Sequence, residues 1–393
     1  MIISVAERLK NVEDYYFVKK LEQIALMNKE GKNVINLGIG SPDLPPSQET
    51  IIELNSVANQ TKSHGYQAYR AIPEFREAVS TFYKQAYSVN LDPNSEVLPL
   101  MGSKEGIIHI SLAFLNQGDA VWIPNPGYPT YSSNSKLVGA KVINYDLTLQ
   151  NQWQPDLNQL EQQWNEHQPK LLWINYPHMP TGAKPDLKVM QQLVKMAKEK
   201  KFLIVHDNPY SLVLNDEAPF SFLQIEGAKE VCIELNSTSK SFNMAGWRVG
   251  MLVGRGDYLS AVLRVKSNVD SGMFLAIQKA AIKALANSND WHDERNKIYA
   301  DRRKSVLEIF DYLGCEYDLS QTGMFVWAKL PKGREDSIAF ADEILEKAHV
   351  FLTPGDIFGS NGRGFLRISL CSSKENIESA LFRIKEISDF SKI

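Results

Sequence analysis

The alternation of short apolar runs with amphipathic stretches, which begins near residue 48, constrains the fold of this chain more than any other feature. Apolar runs occur at 97–101, 120–124, 141–145, 170–175, 202–206, 231–235 and 249–253. Amphipathic stretches of helical period occur between them at 104–115, 156–163, 186–199 and 272–286. Strands that alternate with helices in this way are typical of an α/β domain with a mostly parallel sheet. We therefore predict one large domain over residues 48–286.

The chain on either side of this region has a different pattern. Residues 7–30 carry apolar side chains on one helical face and are followed by Gly31, which predicts a helix that ends there. A charged helical stretch leaves the α/β region, and further strands and helices are predicted at 291–313, 324–329, 336–347, 349–353, 365–370 and 373–388. A chain of 393 residues is also too long for one ordinary core. We predict that residues 1–47 and 287–393 together form a smaller α+β domain.

Composition narrows the class of protein. The net charge is −3, and no basic stripe indicates binding to nucleic acid or to an anionic membrane. No apolar run is long enough to span a bilayer, and the first residues lack the apolar core of a secretory signal. The three cysteines are far apart and lack the spacing of a metal site. We expect a cytoplasmic protein that binds neither nucleic acid nor membranes and holds no metal.

The segment that is most informative about chemistry is 237–248, which reads STSKSFNMAGWR. Its pattern suits a lysine, Lys240, that forms a Schiff base beside a phosphate group. Ser237 and Ser239 could donate hydrogen bonds to phosphate oxygens, and the guanidinium of Arg248 could pair with them at two points. A neighbouring cation also helps a lysine to act as nucleophile and base, because it lowers the pKa. A surface loop with an ordinary lysine is the alternative, and for the lysine alone it is the commoner case.

This segment resembles the cofactor-lysine signature of the class I and II aminotransferases, which are fold-type-I enzymes that depend on pyridoxal 5'-phosphate (PLP). Matches to that family run along nearly the whole chain, from NLGIG at 36–40 to RISL at 367–370. The resemblance implies that Lys240 holds PLP as a Schiff base. It also implies that an amino acid leaves its amino group on the cofactor and that a 2-oxo acid then receives it. Glutamate and 2-oxoglutarate are the commonest pair in that family.

The resemblance extends to residues that follow apolar runs, where ligands bind in open parallel sheets. The aspartate that matches Asp207 pairs with the ring nitrogen of PLP and keeps it protonated, so that the ring can accept electrons. The tyrosine that matches Tyr210 donates to the phenolic oxygen of the ring. The backbone amides that match Ser103 and Lys104 bind the phosphate at the start of a helix. A strand end or a helix cap without a catalytic function is the alternative for each. We assign no chemistry to His206.

Two tyrosines complete the cofactor site that the resemblance implies. Tyr128, in PGYP at 126–129, matches the aromatic residue that stacks on the PLP ring. Tyr66 matches a tyrosine that reaches the phosphate in the neighbouring subunit's site, which implies a homodimer with shared active sites. That second match is looser, because Ala71 stands where the family carries a glycine.

Three residues are candidates for contact with the substrate. The arginine that matches Arg367 grips the α-carboxylate of the substrate with two hydrogen bonds, and an arginine that faces water on an edge strand is the alternative. Gly40 matches the glycine near which that carboxylate lies, since a side chain there would obstruct the substrate. Asn175, at the end of the apolar run 170–175, is the third candidate.

The chain departs from the family pattern at Met179. The family carries Asn-Pro-Thr-Gly where residues 179–182 read MPTG. The asparagine usually donates a hydrogen bond to the phenolic oxygen of PLP, and methionine cannot donate one. Tyr210 would then be the main donor, unless His178 or Asn175 takes the place of the lost amide.

The substrate does not follow from the sequence. The stretches GSKEG at 102–106, HDNPY at 206–210 and RVKSNVDSG at 264–272 are most similar to the LL-diaminopimelate aminotransferase-like branch, which also contains alanine- and aspartate-type enzymes. A C–S lyase or an aminocyclopropane-carboxylate synthase is the alternative, because the same lysine and aspartate serve those reactions. A transcriptional regulator would need a basic DNA-binding module, and a nucleotide-dependent dehydrogenase would need GxGxxG after a strand. The sequence shows neither pattern.

Overall fold

The structure is a computed structural model that describes residues 3–12, 16–387 and 390. Within these residues the strands are β1 (Ile35–Asn36), β2 (Val97–Leu100), β3 (Ala120–Asn125), β4 (Lys141–Asp146), β5 (Leu171–Asn175), β6 (Leu203–Asp207), β7 (Cys232–Ser237), β8 (Gly250–Gly254), β9 (Glu316–Tyr317), β10 (Phe325–Lys329), β11 (Val350–Phe351), β12 (Thr353–Pro354) and β13 (Phe365–Ser369). The α-helices are α1 (Tyr16–Lys29), α2 (Gln48–Ala58), α3 (Pro73–Tyr87), α4 (Ser103–Phe114), α5 (Pro129–Leu137), α6 (Leu157–His167), α7 (Leu187–Lys200), α8 (Thr238–Ser241), α9 (Gly256–Lys266), α10 (Leu275–Leu285), α11 (Asn289–Tyr312), α12 (Ser337–Ala348) and α13 (Lys374–Lys385).

Seven strands form the central sheet, in the order β2-β8-β7-β6-β5-β3-β4. The five strands from β7 to β4 in this order pair in parallel, whereas β8 pairs antiparallel with both β7 and β2. The prediction of an α/β fold with a mostly parallel sheet is therefore confirmed. The predicted strands lie within two residues of the observed ones.

Both faces of the sheet are buried, which explains why its strands read as continuous apolar runs. In β5, Leu171 and Trp173 point into one apolar core, and Leu172 and Ile174 point into the other. Successive side chains of a strand alternate between its two faces, so each face of the sheet needs its own covering layer of helices. None of the described helices combines the length and the apolarity that crossing a membrane requires.

The C-terminal third forms a four-stranded sheet in the order β12-β13-β10-β9. β1 pairs in parallel with β11, with Ile35 opposite Val350, so the N-terminal segment joins this part of the chain. This pairing supports the predicted grouping of residues 1–47 with 287–393, although the boundary at 48–286 stays a prediction. The prediction of one helix over residues 7–30 was wrong: Glu7–Asn11 is a 3₁₀ helix, Val12 is extended, and α1 begins at Tyr16.

The parallel strands end at one edge of the central sheet, and polar residues stand at those ends. Asn175 ends β5, Asp207 ends β6 and Ser237 ends β7, and Asn175 lies directly opposite Asp207. α4 follows β2 at the same edge, because the antiparallel strand β8 makes β2 run in the direction of the parallel strands. In open α/β sheets this edge is where ligands bind.

Candidate active site

A cavity of about 500 Å³ lies between this edge of the sheet, the N-terminal segment and the C-terminal third. All of the sequence-predicted site residues except Tyr66 line it: Gly40, Ser103, Lys104, Tyr128, Asn175, Asp207, Tyr210, Ser237, Ser239, Lys240, Arg248 and Arg367. These residues come from segments that are far apart in the sequence. Their convergence on one cavity would not be expected of unrelated caps, turns and surface charges.

Lys240 lies on the short helix α8, directly after β7. The Ser237 side chain caps this helix by accepting a hydrogen bond from the backbone N–H of Ser239. The Nζ atom of Lys240 donates to the backbone carbonyl of Gly40, which brings the amine into the cavity. Burial lowers the pKa of Lys240, and the positive charge of Arg367 acts in the same direction. A lysine with a lowered pKa spends more time as the neutral amine, which is the nucleophilic form.

One end of the cavity presents donors that suit a phosphate. α4 begins at Ser103, so the backbone N–H groups of its first residues have no partner within the helix. Gly102 precedes the helix with φ of 85°, and a Cβ atom there would lie 2.2 Å from Nη2 of Arg248. Glycine is thus required both by the backbone conformation and by the approach of the guanidinium. The hydroxyl groups of Ser237 and Ser239 lie 2.8 Å apart at the same end.

The other polar end of the cavity is a buried carboxylate. Asp207 accepts a hydrogen bond of 2.7 Å at Oδ2 from the hydroxyl of Tyr131. Its Oδ1 atom is buried, and among the described residues no donor reaches it. Burial raises the pKa of Asp207 to about 6. An oxygen in this state needs an N–H donor from a ligand, and the protonated ring nitrogen of PLP is such a donor. The residues at both ends of the cavity therefore fit PLP.

Tyr131 is a site residue that sequence reasoning missed. It lies one turn into α5, three residues after Tyr128, and its ring stacks on Trp173 with centroids 5.0 Å apart and planes 8° apart. The ring of Tyr128 meets Tyr131 edge to face at 5.5 Å. The available signal was the helical spacing, which places Tyr131 near Tyr128 at the start of α5.

A second buried carboxylate, Glu234, lies behind Asp207 and was also missed, because it falls within the apolar run 231–235. Its Oε2 atom is 2.8 Å from Nδ1 of His206 and accepts a hydrogen bond from the hydroxyl of Ser221, while Oε1 accepts one from the hydroxyl of Tyr83. His206 is fully buried and its other ring nitrogen contacts the backbone of Tyr176. The imidazole is thus held inside the protein and does not line the cavity.

Arg367 occupies an apolar corner of the cavity. β13 lies between β10 and β12 and Arg367 is buried, so the alternative of an arginine facing water on an edge strand is wrong. Its guanidinium carbon lies 4.0 Å from the ring centre of Phe325 and 4.7 Å from that of Phe358. A Cβ atom on Gly40 would lie 2.2 Å from the Phe325 ring, which explains the glycine at that position. Nη2 of Arg367 donates to the carbonyl of Gly38.

The departure at Met179 is located in this corner, where its sulfur lies 3.3 Å from Nη1 of Arg367. Neither proposed replacement for the family's asparagine is turned to the ring. His178 is buried outside the cavity lining against Thr181, and burial lowers its pKa to about 3. The amide of Asn175 donates to the carbonyl of Asp207 and accepts from the N–H of Met179. Asn175 therefore lines the cavity with an amide that is bound to the main chain.

Two predicted site residues, Tyr210 and Tyr66, differ in their position relative to the cavity. Tyr210 lines the cavity, with its ring centre 5.9 Å from that of Phe325, and burial raises its pKa, which keeps the hydroxyl protonated as a donor. Tyr66 lies outside the cavity and its side chain is 93% exposed. The chain itself thus gives Tyr66 no contact with this site, and its assignment to the site of a neighbouring subunit stays a prediction.

Comparisons with known proteins agree with this geometry. Residues 32–384 match the family model for aminotransferase class I and II. An LL-diaminopimelate aminotransferase of Moorella thermoacetica is 41% identical over 384 residues, which cover 97% of this chain and 98% of that protein. One from Aquifex aeolicus is 38% identical over 98% of this chain and 100% of its own length.

Solved structures show the same relationship. The substrate-bound structure of BacF from Bacillus subtilis superposes with a TM-score of 0.93 at 34% identity, over 98% of each chain. An aspartate aminotransferase from Thermotoga maritima superposes with a TM-score of 0.89 at 28% identity, over 97% of this chain and 99% of that one. The family match over residues 32–384 and the relatives of 38% and 41% identity show that this chain belongs to the class I and II aminotransferases, and it is a fold-type-I enzyme that transfers amino groups with PLP.

Proposed function

We propose that Lys240 holds the cofactor and moves the proton as the enzyme exchanges an amino group between an amino acid and a 2-oxo acid. The observation that carries the proposal is that Nζ of Lys240 lies in one cavity with the start of α4 and with Oδ1 of Asp207, which no donor of the described residues reaches. Bound PLP supplies an aldehyde carbon that takes up the amino nitrogen, and a ring that accepts an electron pair. The remaining chemistry falls to the residues of the chain.

The phosphate end fixes the position of the cofactor. The backbone amides of Ser103 and Lys104 point to the phosphate from the positive end of α4. The hydroxyls of Ser237 and Ser239 donate to its oxygens, and Arg248 pairs with it as a cation. The backbone amides are held by the start of α4, whereas the hydroxyl of Ser237 donates to Ser239 and Arg248 donates to the carbonyl of Ala245, so these side chains would exchange partners when the phosphate binds.

The ring end sets the electronic state of the cofactor. Asp207 accepts the N–H of the ring at Oδ1, and Tyr131 holds the carboxylate in place through Oδ2. Tyr210 donates its hydroxyl proton to the phenolic oxygen, and Tyr128 packs on the ring face. A buried carboxylate opposite a ring N–H keeps that nitrogen protonated, since each charge stabilises the other where water is excluded.

The substrate is held between Arg367 and Lys240. Arg367 binds the α-carboxylate, and the aromatic rings around it exclude water and strengthen the charge pair. Gly40 leaves room for the carboxylate, and its carbonyl holds Nζ of Lys240 on the same side. After the substrate amine has displaced Nζ from the cofactor, Nζ would be free to take the proton from the substrate Cα and to deliver it to the cofactor carbon that Nζ had held. We propose glutamate and 2-oxoglutarate as one of the exchanged pairs.

The test of this function is a single-turnover experiment. A panel of amino acids is mixed with the PLP-loaded enzyme, and the absorbance of the bound cofactor and the release of 2-oxo acid are followed. An equal amount of 2-oxo acid for each cofactor converted, with no free ammonia, is the expected result. Release of ammonia or thiol instead would show that the cofactor is used for elimination.

Arg367→Ala is expected to raise the apparent KM for amino acids and 2-oxo acids by about 10-fold or more, because a charged two-point hydrogen bond is lost. The affinity for PLP should change little, since Arg367 lies away from the phosphate end. Arg383→Ala is the matched control, because Arg383 is a half-buried arginine that does not line the cavity and donates to the backbone of Asn33. Steady-state kinetics with several substrates measure the effect, and an unchanged KM would show that another group binds the carboxylate.

We also propose that the enzyme is a cytoplasmic homodimer in which Tyr66 completes the partner's phosphate site. The support is the exposed tyrosine itself, together with the three cysteines, none of which forms a disulfide. Tyr66→Phe is then expected to weaken PLP binding by about 10-fold, as one hydrogen bond to an anion is lost. Sedimentation gives the assembly state and a PLP titration gives the affinity. A monomer with unchanged PLP affinity would contradict both statements.

A further inference from the structure

The cavity walls away from the phosphate end are apolar. Three side chains come from the N-terminal helix and three more from other segments: Phe17, Val18, Leu21, Ile39, Phe325 and Phe358. Met179 adds a thioether where the family carries an amide. Among the lining residues that the structure describes, Asp207 is the only carboxylate, and it lies at the ring end of the cofactor. The part of the cavity that is left for a substrate side chain therefore has no acidic group.

A series of contacts fixes the position of these apolar walls relative to Lys240 and Arg367. Nζ of Lys240 is held by the Gly40 carbonyl, Gly40 packs directly on the ring of Phe325, and that ring lies 4.0 Å from the guanidinium of Arg367. A substrate with its amino group toward Lys240 and its carboxylate on Arg367 thus has its Cα beside Phe325. Phe358 and Phe17 continue the wall, at 4.7 Å and 5.9 Å from the same guanidinium.

We propose, on the basis of the function proposed above, that the amino acid substrate has a large apolar side chain, of the size of leucine, norleucine or phenylalanine. LL-diaminopimelate, after which the two relatives are named, should be a poor substrate. Its distal ammonium and carboxylate would lie against these apolar walls, and no acidic side chain lines the walls to pair with the ammonium. A buried charge without a partner is strongly unfavourable, whereas burying an apolar side chain is favourable. Glutamate, proposed above for one of the exchanged pairs, has no distal ammonium, so this argument does not apply to it.

The first test measures binding without chemistry. Hexanoate and 6-aminohexanoate have the same chain length, and neither can react with the enzyme when its cofactor is pyridoxamine phosphate, which has no aldehyde carbon. 6-Aminohexanoate carries its ammonium on the carbon that corresponds to the distal amino-bearing carbon of diaminopimelate. Calorimetric titration of the enzyme loaded with pyridoxamine phosphate is expected to show binding of hexanoate that is tighter than that of 6-aminohexanoate by about 100-fold. Equal affinities, or tighter binding of 6-aminohexanoate, would overturn the proposal.

The second test uses reactive substrates of matched length. Norleucine and lysine differ only by the distal ammonium, and kcat/KM for norleucine is expected to exceed that for lysine and for LL-diaminopimelate by about 100-fold. A higher value for LL-diaminopimelate would overturn the substrate class while leaving the proposed amino transfer intact. If no amino acid converts the cofactor, the proposed function fails, and the titration with the two unreactive carboxylates still decides whether the walls select apolar groups.

A pair of variants on α1 tests whether the wall sets the preference. Leu21→Glu places a carboxylate on the apolar wall, at a position where 45% of the leucine is exposed and an acid can be accommodated. The norleucine-to-lysine ratio is expected to fall by about 10-fold or more, because the distal ammonium gains a partner. Leu26→Glu is the control: Leu26 is 60% exposed on the same helix and does not line the cavity. An equal change in both variants would show a general charge effect and contradict the assignment.

Discussion

Lys240→Ala is expected to reduce the rate of amino transfer by at least about 10⁴-fold, which is the largest effect of any single change in this chain. In the proposed mechanism the variant loses both the amine that bonds to the cofactor and the base that moves the proton from Cα. No other described lysine except Lys104 lines the cavity, and the N-terminus of α4 places Lys104 at the phosphate end. Pre-steady-state mixing with substrate measures the rate, after the variant has been saturated with PLP.

The control for Lys240→Ala is Lys283→Ala, which removes an exposed lysine of α10. Circular dichroism and thermal unfolding show whether each variant is folded. Both should unfold near the wild-type temperature, since Lys240 makes its one recorded hydrogen bond to a backbone carbonyl. A Lys240→Ala protein that transfers amino groups at a rate within 10-fold of the wild type would remove Lys240 from the mechanism.

Asp207→Asn is expected to lower turnover by about 10²-fold to 10³-fold while PLP occupancy stays nearly complete. Asparagine has the shape of aspartate but lacks the charge that keeps the ring nitrogen protonated, and the phosphate end still holds the cofactor. Tyr131→Phe removes only the hydrogen bond to Oδ2, so its turnover should fall by about 10-fold. Turnover and bound PLP are measured on the same samples. Normal turnover of the fully loaded asparagine variant would contradict the electronic assignment.

The pH dependence of cofactor uptake tests the same carboxylate. Burial raises the pKa of Asp207 to about 6, so the group loses its charge as the pH falls through that value in the cofactor-free protein. A neutral Asp207 no longer favours a protonated ring nitrogen. The affinity advantage of the wild type over Asp207→Asn is thus expected above pH 6 and should shrink below it. Equal affinities of the two proteins at pH 8 would contradict this assignment.

The elements of the large sheet could be predicted from the sequence because strands buried on both faces read as uninterrupted apolar runs. β5 and β6 are such strands, and each ends in a polar residue, Asn175 or Asp207, that the structure brings to the cavity. The segment around Lys240 could be recognised because a cluster of small hydroxyl residues beside a lysine and an arginine is a local pattern. A local pattern of this kind can be recognised in the sequence alone, because it does not depend on contacts between distant segments.

The parts of the fold and of the site that could not be predicted depend on contacts between segments that are far apart in the sequence. A carboxylate within an apolar strand, such as Glu234, is unexpected from the sequence. The structure explains it, because His206, Tyr83 and Ser221 surround the carboxylate as hydrogen-bond partners. The apolar wall of the substrate cavity combines Phe17 with Phe358, and their separation in the chain leaves no periodic signal. The start of α1 was placed too early because apolar spacing alone does not distinguish a 3₁₀ turn from the first turn of an α-helix.

The most direct test of the central claim is to locate the lysine that bonds to the cofactor. Borohydride makes the bond between a lysine and PLP permanent, and digestion followed by mass spectrometry identifies the peptide that carries the added mass. The expected result is one modified site, Lys240, in the peptide that contains residues 237–248. Modification of a different lysine, with Lys240 unmodified, would contradict the account of this active site.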